Sequence, residues 1–137
     1  GRAMVTSPLQ TTLPYPPEQV WQVVTDLTDT AWRSDIARVE RTGPGAFVEY
    51  TPAGVATRFT VTAQEPCRRW EFRLENSSLR GRWVGEFAPQ GGGTRLRFTE
   101  EVQPKRWWMG PFVKGYLKGQ QARYAGDLRR ALETRFG

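Results

Sequence analysis

The sequence predicts an α+β fold: a curved antiparallel sheet of about seven strands, two short N-terminal helices, and a long C-terminal helix closing over one face of the sheet. Three observations lead there. From Ile36 to Gln103 the apolar pattern repeats every second residue, and short turn-forming clusters cut it into segments. The late segments are one-sided: Trp70, Phe72 and Leu74 oppose Arg69, Glu71 and Arg73, and Leu96 and Phe98 oppose Arg95 and Arg97. After Pro104 the pattern becomes helical and runs to about Arg135.

In chain order, residues 4–13 form a first strand, with Leu9, Thr11 and Leu13 on one face and Pro8 confining it to a sheet edge. Pro14-Tyr15-Pro16-Pro17 breaks the strand, and Pro17 with Glu18 opens a helix over 17–26 that carries Val20, Val23 and Val24. Residues 26–30 read as a loop or a second short turn. Strands follow at 36–42, 46–51, 55–64, 68–75, 79–88 and 94–103. Their connections are too short for parallel crossovers, so the sheet is an antiparallel meander. The closing helix places Val113, Leu117, Gln120, Tyr124, Leu128 and Ala131 on one stripe, with Tyr116 at its border.

At 137 residues the chain is read as a single domain, with Gly1-Arg2-Ala3 taken as an added leader ahead of a native Met4. A lone Cys67 and the absence of histidine remove disulfides, Ser-His-Asp and Cys-His catalysis, and ordinary zinc sites. No metal and no cofactor is expected. Apolar runs stop at three residues, as in Trp107-Trp108-Met109, which excludes a spanning helix and predicts a cytoplasmic protein. Residues 1–104 balance twelve arginines with twelve acids, so the net charge of +6 lies wholly in residues 105–137.

An antiparallel sheet interrupted after its first strand and closed by one long helix is the helix-grip arrangement. Pro16-Pro-Glu-Gln-Val-Trp21, then Asp26-Leu27 and Trp32, resembles the N-terminal signature of the START/polyketide cyclase superfamily, the SRPBCC proteins. The stretch from Phe59 to Phe72, with Pro66-Cys-Arg-Arg-Trp70, resembles that superfamily's long strand and Pro-Arg-Arg turn. Gly92-Gly-Thr-Arg-Leu-Arg-Phe98 resembles its penultimate strand. The resemblance implies a cavity between sheet and C-terminal helix for a small apolar or aromatic molecule. It implies no single activity, since members include cyclases, dehydratases, carriers and receptors. Whether this domain is an enzyme stays open; if it is, a lyase or isomerase of the polyketide cyclase/dehydratase type, using carboxylate and tyrosine acid-base chemistry, is implied.

Facing apolar stripes predict a ligand-binding wall of Tyr50, Phe59, Trp70, Phe72, Trp83, Phe87 and Phe98 from the sheet, with Leu117 and Tyr124 from the helix. Val48, Val61, Leu96 and Leu128 complete that interior, and the alternative is that these rings simply fill a close-packed core. Gly81 and Gly85 are expected to leave room beside Trp83. Glu100 alternates with Phe98 and Val102, so its carboxylate is expected to point inward, where burial raises its pKa and suits it to acid-base work. A one-residue slip or bulge would put Glu101 there instead, and the structural alternative is a pair between Glu100 and an arginine. Tyr116, Gln120 and Tyr124 are expected to offer polar tips to a ligand oxygen, with Tyr124 as catalytic partner of Glu100.

Trp107 and Trp108, beside Lys105, Arg106, Lys114 and Lys118, are read either as a membrane-touching loop or as the cavity mouth. The competing readings are thus a ligand-binding or catalytic domain, a lipid or quinone carrier that meets an anionic membrane surface, and a ligand-free protein-interaction module. A monomer or homodimer is expected. No nucleic acid is expected, because no stacking platform or helix-turn-helix pattern is present.

Overall fold

The computed structural model describes residues 4–137, so the reading of Gly1–Ala3 as an added leader lies outside the described residues. Strand β1 (Val5–Leu13) leads into helix α1 (Pro17–Thr25). Strands β2 (Arg38–Gly43), β3 (Ala46–Tyr50), β4 (Ala56–Glu65), β5 (Arg69–Glu75), β6 (Leu79–Gln90) and β7 (Gly93–Pro104) follow. A 3-10 turn at Trp107–Met109 then runs into helix α2 (Gly110–Phe136). The seven strands form one sheet in the order β1-β7-β6-β5-β4-β3-β2, with every pair antiparallel. Pro8 therefore lies on an edge strand, where a missing N–H leaves no gap in the sheet interior.

Helix α1 starts at Pro17 with Glu18 in its first turn and buries Val20, Val23 and Val24. It ends at Asp26, whose carboxylate accepts from the Thr28 N–H at 2.9 Å and the Thr28 hydroxyl at 2.6 Å. That turn diverts the backbone from helical geometry, so only one of the two expected N-terminal helices forms. Residues 26–36 run instead as a series of turns across one end of the sheet.

Strand β3 takes the opposite phase from the one expected. Phe47 faces Phe59 across the β3/β4 ladder, and the two rings stack at 4.8 Å and 7°. The local pattern favours Ala46, Val48 and Tyr50 as the inward set over Phe47 and Glu49, and the stacked phenylalanine pair overrides it. Phe47 and Glu49 thus point inward and Tyr50 outward. The Tyr50 ring lies 3.8 Å beneath the Arg38 guanidinium, and its hydroxyl donates to Glu40 at 3.4 Å.

Helix α2 packs along β1 and closes against α1. Its buried seam is Val113, Leu117, Gln121, Asp127, Leu128, Ala131 and Leu132. The buried glutamine is thus Gln121 rather than Gln120. The Ser7 hydroxyl donates to Gln121 Oε1 at 2.8 Å, and Gln121 Nε2 donates to the Ser7 carbonyl at 2.6 Å. Replacing Gln121 with leucine leaves both Ser7 groups without these partners, and a loss of roughly 1–3 kcal/mol is expected. Urea unfolding checks this; an unchanged midpoint would show that the clamp does not hold the helix in register.

The space expected beside Trp83 is filled. A Cβ on Gly85 would stand 2.5 Å from the Trp83 indole, which lies over that glycine, and at Gly81 the β7 backbone comes too close for any side chain. On the outer face, Arg69 and Arg82 pair with Glu71, Glu86 and Glu101. These exposed and half-exposed pairs contribute little each, but they keep that face solvated and leave the apolar face for α2.

Candidate functional site

A cavity of about 170 Å³ lies between the sheet and the N-terminal half of α2. Its floor is aromatic. Phe59, Phe72, Trp83 and Phe98 come from β4, β5, β6 and β7, with Trp70 beside Phe72 on β5. Phe72 and Trp83 stack at 4.9 Å, Phe59 meets Phe72 edge-on at 5.0 Å, and Trp83 overlies Phe98 at 5.8 Å. Ring packs against ring, so the aromatic side chains of the sheet themselves fill part of the space beneath α2.

The opposite side is charged. From β3, Glu49 enters the cavity two residues after Phe47; from β7, Glu100 enters two residues after Phe98. The segment 26–36 adds Arg33 and Asp35. Arg33 donates to Asp35 and to Glu49, each at 2.7 Å, and its guanidinium lies 5.2 Å from the centre of the Tyr124 ring. Ser34, between the two charged residues, is fastened to α2. Its N–H and hydroxyl both donate to Asp127 at 2.8 Å, while Arg123 donates to its hydroxyl and its carbonyl. This latch turns Arg33 and Asp35 away from solvent and into the cavity. Burial opposes the Asp127 charge, but the two Ser34 donors and Arg130 hold its carboxyl below the usual range.

Electrostatics sets the state of each group. Burial, with the Glu49 charge second, pushes the Glu100 carboxyl up to about 7, against the opposing pull of Arg33. Burial also raises the Tyr124 phenol, which stays protonated and acts as a hydrogen-bond donor rather than a base. Desolvation works against the Arg33 charge, but Glu49 and Asp35 more than offset it and the guanidinium stays cationic. The indole N–H groups of Trp32 and Trp70, both cavity-wall residues, are buried without an acceptor among the described residues. Among the described residues no three of the Asp, Glu and Cys side chains are grouped as ligands for a metal ion.

Of the residues expected at the site, Glu100, Phe59, Trp70, Phe72, Trp83, Phe98, Tyr116, Leu117, Gln120 and Tyr124 line this cavity. Glu100 keeps the phase of Phe98 and Val102 with no slip, and Glu101 faces outward near Arg82. Gln120 spends its amide on the Tyr116 hydroxyl, donating at 2.8 Å. Tyr50 is excluded by the β3 phase. Phe87 is excluded because α1 covers it, with Trp21 edge-on at 5.1 Å. Trp107 and Trp108 stand outside the lining and remain exposed. Arg33, Asp35 and Glu49 were not foreseen. Glu49 had one available signal, its shared phase with Phe47; Arg33 and Asp35, in a run of turns, had none.

A family profile described as "Polyketide cyclase / dehydrase and lipid transport" matches residues 4–133. No curated protein sequence matches the chain. Among solved structures, a conserved protein from Geobacillus kaustophilus superposes with a TM-score of 0.83 at 13% identity, covering 95% of this chain and 96% of its own. A START superfamily protein from Mycobacterium smegmatis gives 0.82 at 16% identity, over 98% and 99%. DynU16, a putative protein in the dynemicin biosynthetic locus, gives 0.73 at 20% identity; the match covers 94% of this chain and 47% of that one. At these identities the likeness is one of fold.

Proposed function

The chain belongs to the polyketide cyclase/dehydrase and lipid transport family, and from that premise we propose that its cavity binds a small molecule with an apolar ring at one end and a hydrogen-bonding group at the other. The observation that carries this reading is the division of one cavity into an aromatic floor and a charged wall of Arg33, Asp35, Glu49 and Glu100. The volume supports one ring: a cavity of about 150 Å³ accommodates benzene, and drug-sized ligands need roughly 300 Å³ or more.

The charge of the wall narrows the polar end further. Three carboxylates face one guanidinium, so with Glu100 protonated the group still carries a net negative charge. A ligand carboxylate is disfavoured there, whereas a hydroxyl, a carbonyl or an amine is accepted. Near neutral pH Glu100 is divided between carboxyl and carboxylate. It can therefore give a proton to a ligand oxygen or take one back, while the Tyr124 phenol donates a hydrogen bond to the same region. That division of roles is what an acid-base isomerisation or dehydration needs from the protein.

Phenol and benzoate test the reading, since they share a ring and differ at the polar end. In ¹H–¹⁵N NMR titrations at pH 8, phenol is expected to shift the Trp83 and Trp70 indole signals, and benzoate is expected to bind at least tenfold more weakly. If neither ligand moves those signals, the cavity is not a binding site. Equal binding of both would leave the cavity standing and remove the charge argument.

A further inference from the structure

Seven large hydrophobic side chains are exposed among the described residues, and four of them fall between 107 and 116. Trp107 is 82% exposed, Phe112 72%, Tyr116 58% and Trp108 53%. Clustering of this kind marks an interaction surface, whereas isolated exposed apolar residues do not. Phe112 and Tyr116, four residues apart, line one flank of the first turns of α2, and Trp107 and Trp108 precede them in the 3-10 turn. Lys114 and Lys118 occupy the other flank, and Gly115 and Gly119 lie between the two with open space around them. Arg106 precedes the ridge. From Val102 to Gly126 the sequence has five basic residues and no acidic one. Lys105 is committed to Glu75 at 2.8 Å, but Arg106, Lys114 and Lys118 form no ion pair among the described residues.

We propose that this end of α2, with the 3-10 turn before it, is a docking surface for an anionic lipid bilayer, on which the helix lies parallel to the membrane. The tryptophans and Phe112 enter the interfacial layer while the two lysines and Arg106 meet lipid headgroups. Aromatic and basic groups together supply the two signals that stable membrane attachment needs. Among the described residues no helix is long and apolar enough to cross a membrane, which fits attachment at the surface. A second copy of the chain is the poorer occupant. A two-fold interface across this flank brings the basic residues of both copies together, and residues 102–126 of neither copy supply an acid to neutralise them. Tyr116 belongs both to the exposed ridge and to the cavity lining, so the docked face adjoins the cavity.

Co-sedimentation with vesicles of phosphatidylcholine alone, and of phosphatidylcholine mixed with phosphatidylglycerol, tests the proposal at low and high salt. The full chain is expected to sediment with the mixed vesicles and to be released by salt. Trp107→Ala/Trp108→Ala/Phe112→Ala is expected to lower the partition at least tenfold. Lys114→Gln/Lys118→Gln is expected to lower it about fivefold per lysine removed. All five side chains are exposed, so circular dichroism should be unchanged. Absence of binding to mixed vesicles at low salt overturns the proposal, as does binding that the aromatic variant leaves intact. A concentration-dependent dimer abolished by the aromatic variant would assign the surface to a second copy. Tighter binding to single-stranded DNA than to the mixed vesicles would assign it to nucleic acid. Ligand binding in the cavity is a separate readout, and it stays intact if only the docking surface fails.

Discussion

Arg33→Ala is expected to destabilise the protein by roughly 2–4 kcal/mol at pH 8, somewhat below the loss of one partner from a fully buried ion pair because these side chains keep 13–16% exposure. The reason is not the loss of two hydrogen bonds alone. Without the guanidinium, Asp35, Glu49 and Glu100 share a cavity wall with no cation among them. Part of the strain is relieved by taking up a proton, so the penalty should shrink as pH falls. The Glu100 midpoint should also move above its present value of about 7, because Arg33 now holds it down. Urea unfolding of wild type and variant at pH 8 and pH 5 checks both statements. A loss below about 1 kcal/mol at pH 8, typical of an exposed pair, would mean that solvent already screens the cluster. Arg33→Met together with Glu49→Gln removes one charge of each sign and should recover part of the loss, which separates charge imbalance from lost packing.

The predicted strand boundaries lie within two residues of the observed ones because the outer face of the sheet is so uniformly charged. On β5 the arginines and glutamates, and on β7 Arg95, Arg97 and Glu101, mark the outward face and so which neighbours must point inward, and the pairings between them follow. Ambiguity begins where that contrast fades. In β3 the inward phase carries Glu49 beside Phe47 while the outward phase is Ala46, Val48 and Tyr50, and the partner ring Phe59 decides that Phe47 turns in and Tyr50 turns out. In α2 two adjacent glutamines compete for one position on the seam. Their side chains are identical, so Ser7 on β1, over a hundred residues away in sequence, selects Gln121. Neither choice is a property of the local sequence.

The charged wall was illegible for a different reason. Arg33, Asp35 and Glu49 read as surface residues because an isolated charge is costly to bury. They are largely withdrawn from solvent, with side chains 13–16% exposed, because they neutralise one another across a turn segment and a strand. Ser34 and Asp127, also polar, hold that segment in place. Glu100 was foreseen because its strand has a strict alternation that leaves a carboxylate no outward option. Its environment is only partly legible: apolar burial or a pair with an arginine is expected, and the structure adds Glu49 and Asp35 opposed by Arg33.

Glu100→Gln should reverse the usual sign of a carboxylate's contribution to stability. Its carboxyl is raised from 4.5 to about 7, burial being the leading cause. Below pH 4.5 both folded and unfolded chains carry the proton, and the residue imposes no pH-dependent cost. As pH rises from 4.5 towards 7 the unfolded chain releases its proton while the folded chain retains it. Stability contributed at this position therefore falls across that window and levels off above pH 7. A shift of this size corresponds to about 3 kcal/mol when fully developed. Glutamine has nearly the same shape and cannot ionise. The variant is thus expected to equal wild type near pH 4.5 and to exceed it by up to about 3 kcal/mol at pH 8. Thermal unfolding from pH 4 to pH 8 reads this as a widening gap in Tm, and parallel curves would show that Glu100 titrates as an ordinary surface carboxylate. The same substitution removes the cavity carboxyl that is poised to exchange a proton near neutrality. If the domain turns over a ligand, the variant should be more stable, retain ligand affinity and lose turnover, a combination that a merely structural carboxylate would not produce.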